Sequence, residues 1–194
     1  MRTLGLLFIA WLLTVPANSR AQNVKNERES AIRPEEMPSP ALALLRPLLT
    51  EAQRVNFYRE TDGEQESYEC KLRWQGNEYS IEFHRAGALM DIEKLLPYRA
   101  IPASVRKQLE IYLEKEYGRY KIRRVQEQFP AEMVEGDLAE FLSRDHATEK
   151  VRYEIELDGR SASGIGTYEY LFDATGRFIT RRSIVRRPLD NLLY

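Results

Sequence analysis

The feature that most constrains the fold of this 194-residue chain is a strict alternation of residue types near its C-terminus. Three aromatic residues occupy every second position there: Tyr168, Tyr170 and Phe172. This period of two is typical of a β-strand with one buried face. The next four residues, Asp173 to Gly176, favour a tight turn, because Asp bonds to nearby backbone and Gly accepts a left-handed conformation. Residues 166–185 therefore predict an antiparallel hairpin.

A similar pattern occurs 89 residues earlier, in NEYSIEFHRAGALMDIEKLL. The matching positions pair Tyr79 with Tyr168, Phe83 with Phe172 and Gly87 with Gly176. We interpret the chain as two copies of one small unit, over residues 41–97 and 98–187, followed by a short tail at 188–194.

Each copy predicts one helix and four strands. In the second copy the helix follows Pro102, and its apolar residues recur at helical spacing: Val105, Leu109, Leu113 and Tyr117. In the first copy Pro47 interrupts a leucine-rich helix. The predicted class is α+β, with two tandem helix-plus-four-stranded antiparallel units and the helices on one face of an extended sheet.

The N-terminus has the pattern of a secretory signal peptide. Arg2 precedes an apolar run from Leu4 to Val15, and small residues stand before a cut at Gln22. The apolar run is too short to span a bilayer as a membrane anchor. We predict a signal peptide at 1–21, a flexible leader at 22–40, a periplasmic or extracellular location, and no transmembrane segment after cleavage.

Charge and cysteine content limit the partners. Removing residues 1–21 takes away Arg2 and Arg20, so the net charge of −1 becomes −3. This balance disfavours nucleic acid as a partner. Cys70 is the single cysteine, so no intramolecular disulfide can form. Its place on the apolar face favours a buried small hydrophobe, with a reactive thiol as the alternative.

Four segments carry a resemblance to a known family: IPASV at 101–105, KIRRVQE at 121–127, VRYEIEL at 151–157 and YEYLFDATGRFI at 168–179. Together they resemble the PepSY-like group of secreted bacterial proteins, which is related by fold to the β-lactamase inhibitory protein. The resemblance implies tandem helix-plus-four-strand units in one curved sheet. It implies no catalytic residues.

No established catalytic or metal-binding motif is present in the sequence. It has no Gly-rich phosphate loop, nucleophile elbow or HExxH pattern. His84 and His146, the only histidines, lack metal-ligand spacing. We therefore predict no catalytic residues, no metal and no cofactor. An enzyme would require a cleft that gathers His84, an acid and Ser163.

Arginine and tyrosine content suggests a binding surface. Residues 177–187 carry the one local excess of positive charge, which favours either a solvated edge strand or a docking surface. Tyr and Arg are common at protein interfaces. The candidate binding residues are Trp74, Tyr168, Tyr170, Arg177, Arg181, Arg182 and Arg186.

These patterns predict a non-enzymatic exported module that binds or inhibits another envelope or secreted protein through an open sheet face. An anionic glycan or lipid head group is a further possible partner for the arginines. The alternative is a periplasmic carrier that holds a small hydrophobic ligand between helices and sheet.

Overall fold

The computed structural model describes residues 24–144, 146, 150–161 and 164–185. Within them, ten strands and three α-helices follow one another. Their bounds, in chain order, are β1 Val24–Lys25, β2 Glu27–Ile32, α1 Ser39–Leu49, β3 Gln53–Asp62, β4 Gln65–Trp74, β5 Asn77–His84, β6 Leu89–Leu95, α2 Ala103–Glu116, β7 Arg119–Pro130, α3 Leu138–Leu142, β8 Arg152–Ser161, β9 Gly164–Asp173 and β10 Phe178–Ile184. None of the described helices is long and apolar enough to cross a membrane.

The ten strands form one sheet in the order β1-β10-β9-β8-β7-β6-β5-β4-β3-β2. Strands β3 to β10 pair antiparallel with their neighbours. Strand β1 pairs parallel with β10, and β2 pairs antiparallel with β3. Because only Asn26 separates β1 from β2, the N-terminal segment touches both edges of the sheet. The sheet therefore curls into a nearly closed, barrel-like form.

This architecture corrects the predicted fold class. The expectation of two tandem helix-plus-four-strand units on an extended sheet is wrong, because all ten strands belong to one nearly closed sheet. The closing strands lie at 24–32, within the range predicted as a flexible leader. The predicted signal peptide and tail lie outside the described residues.

The hydrophobic core lies on the outside of the curled sheet, beneath the helices. Helix α1 buries Leu45 and Leu48, and α2 buries Leu109 and Leu113, the latter pair on the face that the apolar spacing predicts. They belong to one continuous cluster with the apolar side chains of the strands, such as Ile81. Buried side chains thus occupy the space in which the alternative hypothesis places a hydrophobic ligand.

Two glycines allow turns of the sheet to approach the helices closely. Gly87 and Gly176 have φ of +86° and +84°. A Cβ at Gly87 would lie 2.9 Å from Pro38 Cβ, and one at Gly176 would lie 2.8 Å from the Val105 carbonyl oxygen. Glycine is required at both positions for conformation and for space.

The other face of the sheet is polar and turns inward. Along β4, Cys70 and Leu72 point to the core. Glu69 and Lys71, which alternate with them, therefore point the opposite way. Curling of the sheet encloses this second face. It therefore becomes the lining of the barrel, not a surface exposed to solvent.

Candidate functional site

The barrel encloses a small cavity with an unusual charge balance. It measures about 140 Å³ and is lined from β1 to β8 and from the end of β10. Eight glutamates face two lysines and one arginine across it. The glutamates are Glu27, Glu29, Glu60, Glu69, Glu82, Glu93, Glu154 and Glu156. A buried polar interior with this excess of acids is the most distinctive chemical feature among the described residues.

The environment raises the pKa values of the interior carboxyl groups. Burial, followed by the charge of Glu69, raises the pKa of Glu60 to about 10. Burial and the charge of Glu169 raise the pKa of Glu154 to about 8. Burial and neighbouring carboxylates also raise the pKa values of Glu82 and Glu93 well above 4.5. These groups therefore resist carrying their full negative charge together.

The carboxylates form two clusters in which one oxygen from each of three residues lies within 4.8 Å of the others. The first cluster contains Glu29, Glu60 and Glu69. The Lys71 ammonium nitrogen lies 2.9 Å from Glu29 Oε1 and 2.9 Å from Glu69 Oε2. Ser80 also donates a hydrogen bond to Glu69. The protein thus supplies its own cation to this cluster.

The second cluster contains Glu82, Asp91 and Glu93 on the adjacent strands β5 and β6. Two glutamine side chains of β7 hold its carboxylates. Gln126 donates to Glu93, and Gln128 donates to Asp91 Oδ2 at 3.1 Å. Neither Asp91 Oδ1 nor Gln128 Oε1, both buried, has a hydrogen-bond partner within the described part of the chain. This cluster is held by neutral amides where the first is held by an ammonium group.

Lys25 of β1 is the other lysine of the interior. Its Nζ lies 2.5 Å from Glu169 Oε2 and 3.1 Å from Glu27 Oε1. Although burial opposes the charge, Glu154, Glu169 and Glu27 raise the pKa of Lys25, so it stays protonated. The N-terminal strand thus contributes both a hydrogen-bonded edge and a partly buried positive charge.

The two ends of the barrel differ in charge. One end, which we name the acidic mouth, is a groove of about 1190 Å³ beside the β3–β4 and β5–β6 turns. It is lined by six acids against Arg85, Arg182 and His84. The opposite end, the basic mouth, lies beside the β4–β5 turn, where Glu78 and Glu93 face a larger set of basic residues: Arg54, Lys71, Arg73, Arg123 and Arg124. Three residues line both the acidic mouth and the interior cavity: Glu27, Glu60 and Glu82.

The predicted binding residues do not form one surface. Trp74 and Tyr170 are buried, at 3% and 0% exposure, and belong to the core beneath the helices. Tyr168 is half-buried, with the Arg181 guanidinium 5.4 Å from its ring centroid on the outer face. The alternation of β10 turns Arg182 inward, where it pairs with Asp62.

Two further arginines complete the predicted set. Arg177 is 80% exposed at its side chain and bonds Asp173 of its own turn at 2.9 Å. Arg186 lies outside the described residues. The binding role of the exposed members stays a prediction, but the arginines are divided between two faces of the sheet.

The cysteine, the two histidines and Ser163 are the remaining residues that the sequence singles out for possible chemistry. Cys70 is fully buried, and burial raises the pKa of its thiol to about 12. His84 is exposed at the acidic mouth. His146 stacks on Phe141 at 3.9 Å between ring centroids. Ser163, which the enzyme hypothesis would require, lies outside the described residues.

The interior acids are not among the predicted site residues, although the alternation of the strands places many of them on one face. Glu69, Glu82, Glu154 and Glu156 all fall on the polar side of alternating strands. A further signal lies in ERESAI, where Glu27 and Glu29 occupy alternate positions of a strand. That signal is weak, because nearly every residue around them is also polar.

Comparison with solved structures shows what the fold is similar to. A DUF2874 family protein from Bacteroides ovatus ATCC 8483 superposes with a TM-score of 0.50 at 10% sequence identity, over 76% of this chain and 87% of that one. A BLIP-like protein from Bacteroides fragilis NCTC 9343 gives a TM-score of 0.48 at 14% identity, over 78% and 90%. A Bacteroides eggerthii DSM 20697 protein described as periplasmic gives 0.49 at 10% identity, over 76% and 88%.

Neither a protein-family profile nor a curated protein sequence matches the chain. At 10% identity, the similarity to the Bacteroides ovatus protein concerns the fold alone.

Proposed function

We propose that this chain is a non-enzymatic periplasmic protein that binds a positively charged ligand inside its barrel. The observation that carries the proposal is the interior cavity, in which eight glutamates face two lysines and one arginine. Burying carboxylates without sufficient counter-charge costs free energy. A cation bound among them offsets that cost, so the folded chain prefers a positively charged ligand.

The charge of the two mouths supports the same proposal. The acidic mouth attracts cations, and Glu27, Glu60 and Glu82 continue its lining into the cavity. The arginines of the basic mouth repel cations at the opposite end. A positively charged ligand therefore has one favourable route of entry.

The non-enzymatic and periplasmic parts of the proposal have separate support. The sequence contains no nucleophile elbow, phosphate loop or HExxH motif. The pattern of residues 1–21 supports export. A solved neighbour of similar fold that is described as periplasmic adds to this support.

Binding of a protein partner is a second candidate function, favoured by apolar exposure on β10. Phe178 and Ile179 are 40% and 45% exposed on the strand that also carries Arg181. Affinity capture from envelope extracts with Phe178→Ser and Arg181→Gln variants tests it, since a genuine partner should be retained less by both.

The PepSY-like assignment and the internal duplication also remain predictions.

The leading proposal is tested by thermal unfolding of the chain without residues 1–21. The protein is stripped with a chelator, and its melting midpoint is measured with CaCl2, MgCl2 or spermidine at millimolar concentration. The reference is NaCl at equal ionic strength. A ligand at about 100 times its Kd adds about 2.7 kcal/mol to the stability. We expect at least one of these cations to raise the midpoint by several degrees above NaCl, and equal midpoints throughout contradict the proposal.

A further inference from the structure

We infer that the cluster of Glu82, Asp91 and Glu93, together with the side-chain carbonyl oxygen of Gln128, is a binding site for Ca²⁺. This inference rests on the proposed function and names its ligand. It concerns only one of the two carboxylate clusters of the interior. The four residues come from the consecutive strands β5, β6 and β7.

The register of the sheet places these side chains together. Glu82 is the cross-strand partner of Asp91, and Glu93 is the partner of Gln128. Asp91 and Glu93 are two positions apart on β6, so they point to the same face. One carboxylate oxygen from each acid lies within 4.8 Å of the others. The arrangement is fixed by backbone pairing and does not depend on a mobile loop.

Gln128 provides an observation that is independent of the acidic charge. Its side chain is 9% exposed and lies against the cluster, because Nε2 donates to Asp91 Oδ2 at 3.1 Å. Its Oε1 and Asp91 Oδ1 are buried without a hydrogen-bond partner within the described part of the chain. Burial of oxygens without a hydrogen-bond partner costs free energy. A cation coordinated by both oxygens satisfies them together.

The donor set selects a hard cation. Carboxylate and amide oxygens suit Ca²⁺ or Mg²⁺, whereas the set contains no imidazole or thiolate for a softer metal. Ca²⁺ binds oxygens at about 2.3–2.6 Å, so two oxygens on one ion lie at most about 5 Å apart. The separations of up to 4.8 Å fit this limit. Ca²⁺ also accepts irregular geometry and bidentate carboxylates, while Mg²⁺ demands a tight octahedron.

The first cluster provides an internal comparison. Glu29 and Glu69 hold the Lys71 ammonium at 2.9 Å each, so that cluster already contains a cation of the protein. No ion pair or hydrogen bond from a lysine or arginine to Glu82, Asp91 or Glu93 occurs within the described residues. The difference predicts that added Ca²⁺ binds the second cluster and not the first.

The site also has a route of access. Glu82 lines both the acidic mouth and the interior cavity, and Glu93 lies deeper in the cavity. A hydrated cation that enters the groove therefore meets Glu82 first. It can exchange its water for oxygens of Glu82 and Glu93, the two members of the cluster that line the cavity.

The test is calorimetric titration of the chelator-stripped chain, without residues 1–21, with CaCl2. We expect one Ca²⁺ per chain, with weaker binding of Mg²⁺. Asp91→Asn should weaken Ca²⁺ binding about tenfold or more, since even outer-shell changes at metal sites cost that much. Gln128→Leu should also weaken it. The matched control is Glu140→Gln on α3, an exposed carboxylate that pairs with Arg144 outside the cavity, and this change should leave the affinity within about twofold.

The outcomes separate this inference from the general proposal. If Ca²⁺ does not bind but spermidine stabilises the protein, the calcium site is wrong and cation binding stands. If Ca²⁺ binds wild type and Asp91→Asn equally, the ion lies elsewhere and the assignment fails. If neither Ca²⁺, Mg²⁺ nor spermidine acts, both ideas fail. Glu82→Gln, at the more exposed end of the cluster, repeats the test if Asp91→Asn does not fold.

Discussion

Arg182 of β10 donates a hydrogen bond to Asp62 of β3, although 120 residues separate them in the sequence. These strands flank the N-terminal segment on its two sides. Arg182 also lies 3.9 Å from Glu27 and 3.8 Å from Glu169. One guanidinium group thus connects both edges of the sheet and the strand that joins them.

We predict that Arg182→Gln weakens closure of the barrel. The change leaves Asp62 without its partly buried cationic partner and leaves Glu169 with Lys25 alone, and we expect a loss of about 1–3 kcal/mol in the free energy of unfolding. Hydrogen exchange should accelerate at the amides of β1. Arg181→Gln is the control, because its exposed ion pair with Glu116 at 3.5 Å contributes less than about 1 kcal/mol. Equal effects of the two changes would show that Arg182 has no special role at the seam.

Closure is also the part of the fold that the sequence did not predict. Eight strands, β3 to β10, lie where alternation or turn signals place them, because side-chain periodicity is a local property. Pairing of the edges depends instead on residues 24–32, whose composition resembles that of a disordered linker. Their strand conformation is stabilised by partners far away in the chain, such as Asp62 and Ser183.

A second prediction concerns the turn after β9. Gly176→Ala should destabilise the fold by about 2–4 kcal/mol, because the added Cβ approaches the Val105 carbonyl oxygen to 2.8 Å at a φ of +84°. The control is Gly63→Ala at φ +63°, where a Cβ meets nothing within 4 Å. That change costs about 1–2 kcal/mol through the backbone alone. Urea unfolding measures both, and a larger loss at Gly63 would contradict the packing explanation.

A third prediction concerns the hydrogen bond between Tyr117 and Tyr170, and it tests whether Tyr170 acts in the core and not in binding. The hydroxyl groups of Tyr117 and Tyr170 are hydrogen-bonded at 2.8 Å in the core. Tyr170→Phe should cost about 1 kcal/mol of stability or slightly more, since it leaves the Tyr117 hydroxyl without this bond. It should leave cation binding unchanged, because Tyr170 lies on the outer side of the sheet. Equal urea midpoints for variant and wild type would contradict the role of the hydrogen bond.

Cys70 should behave as an inert thiol in the folded protein. It is fully buried on β4, and burial raises its pKa to about 12. Alkylating reagents act on the thiolate, which is scarce under these conditions. We expect labelling at pH 8 to be slow in the native state and rapid in urea. Rapid labelling of the native protein would indicate an accessible thiol and would favour the alternative hypothesis that Cys70 is reactive.

The acidic interior shows the same limit of sequence reasoning as the fold. Alternation places Glu69, Glu82 and Glu154 on a polar face, which for an open sheet means exposure to water. Their burial follows from curvature, and curvature follows from closure by the N-terminal strand. Alternation thus predicts that these residues share one face of the sheet. That they lie close together around a cavity is seen only in the three-dimensional structure.

The buried carboxyl groups also predict an unusual dependence of stability on pH. The pKa of Glu154 rises to about 8 in the folded state from an ordinary value of 4.5. Between these pH values the folded chain retains a proton that the unfolded chain has lost, so stability is fully present below about pH 4.5 and falls as pH rises. Each pH unit in this window costs about 1.4 kcal/mol per such group. The charged groups that influence Glu154 are Glu169, Lys25, Asp91 and Arg124.

We therefore expect the free energy of unfolding, measured by urea titration in the presence of a chelator, to decrease from pH 5 to pH 8. Glu154→Gln should flatten this decrease, because glutamine fills the same space without a titrating proton. Lys25 adds no slope in this window, because its raised pKa keeps it charged in the folded chain and the ordinary pKa of 10.5 keeps it charged in the unfolded chain. A stability that rises over this range in wild type, or an unchanged slope in Glu154→Gln, would show that the interior carboxyls are already neutralised in another way. Such a result would remove the electrostatic reason for cation binding, because a cavity without excess negative charge has no preference for a positive ligand.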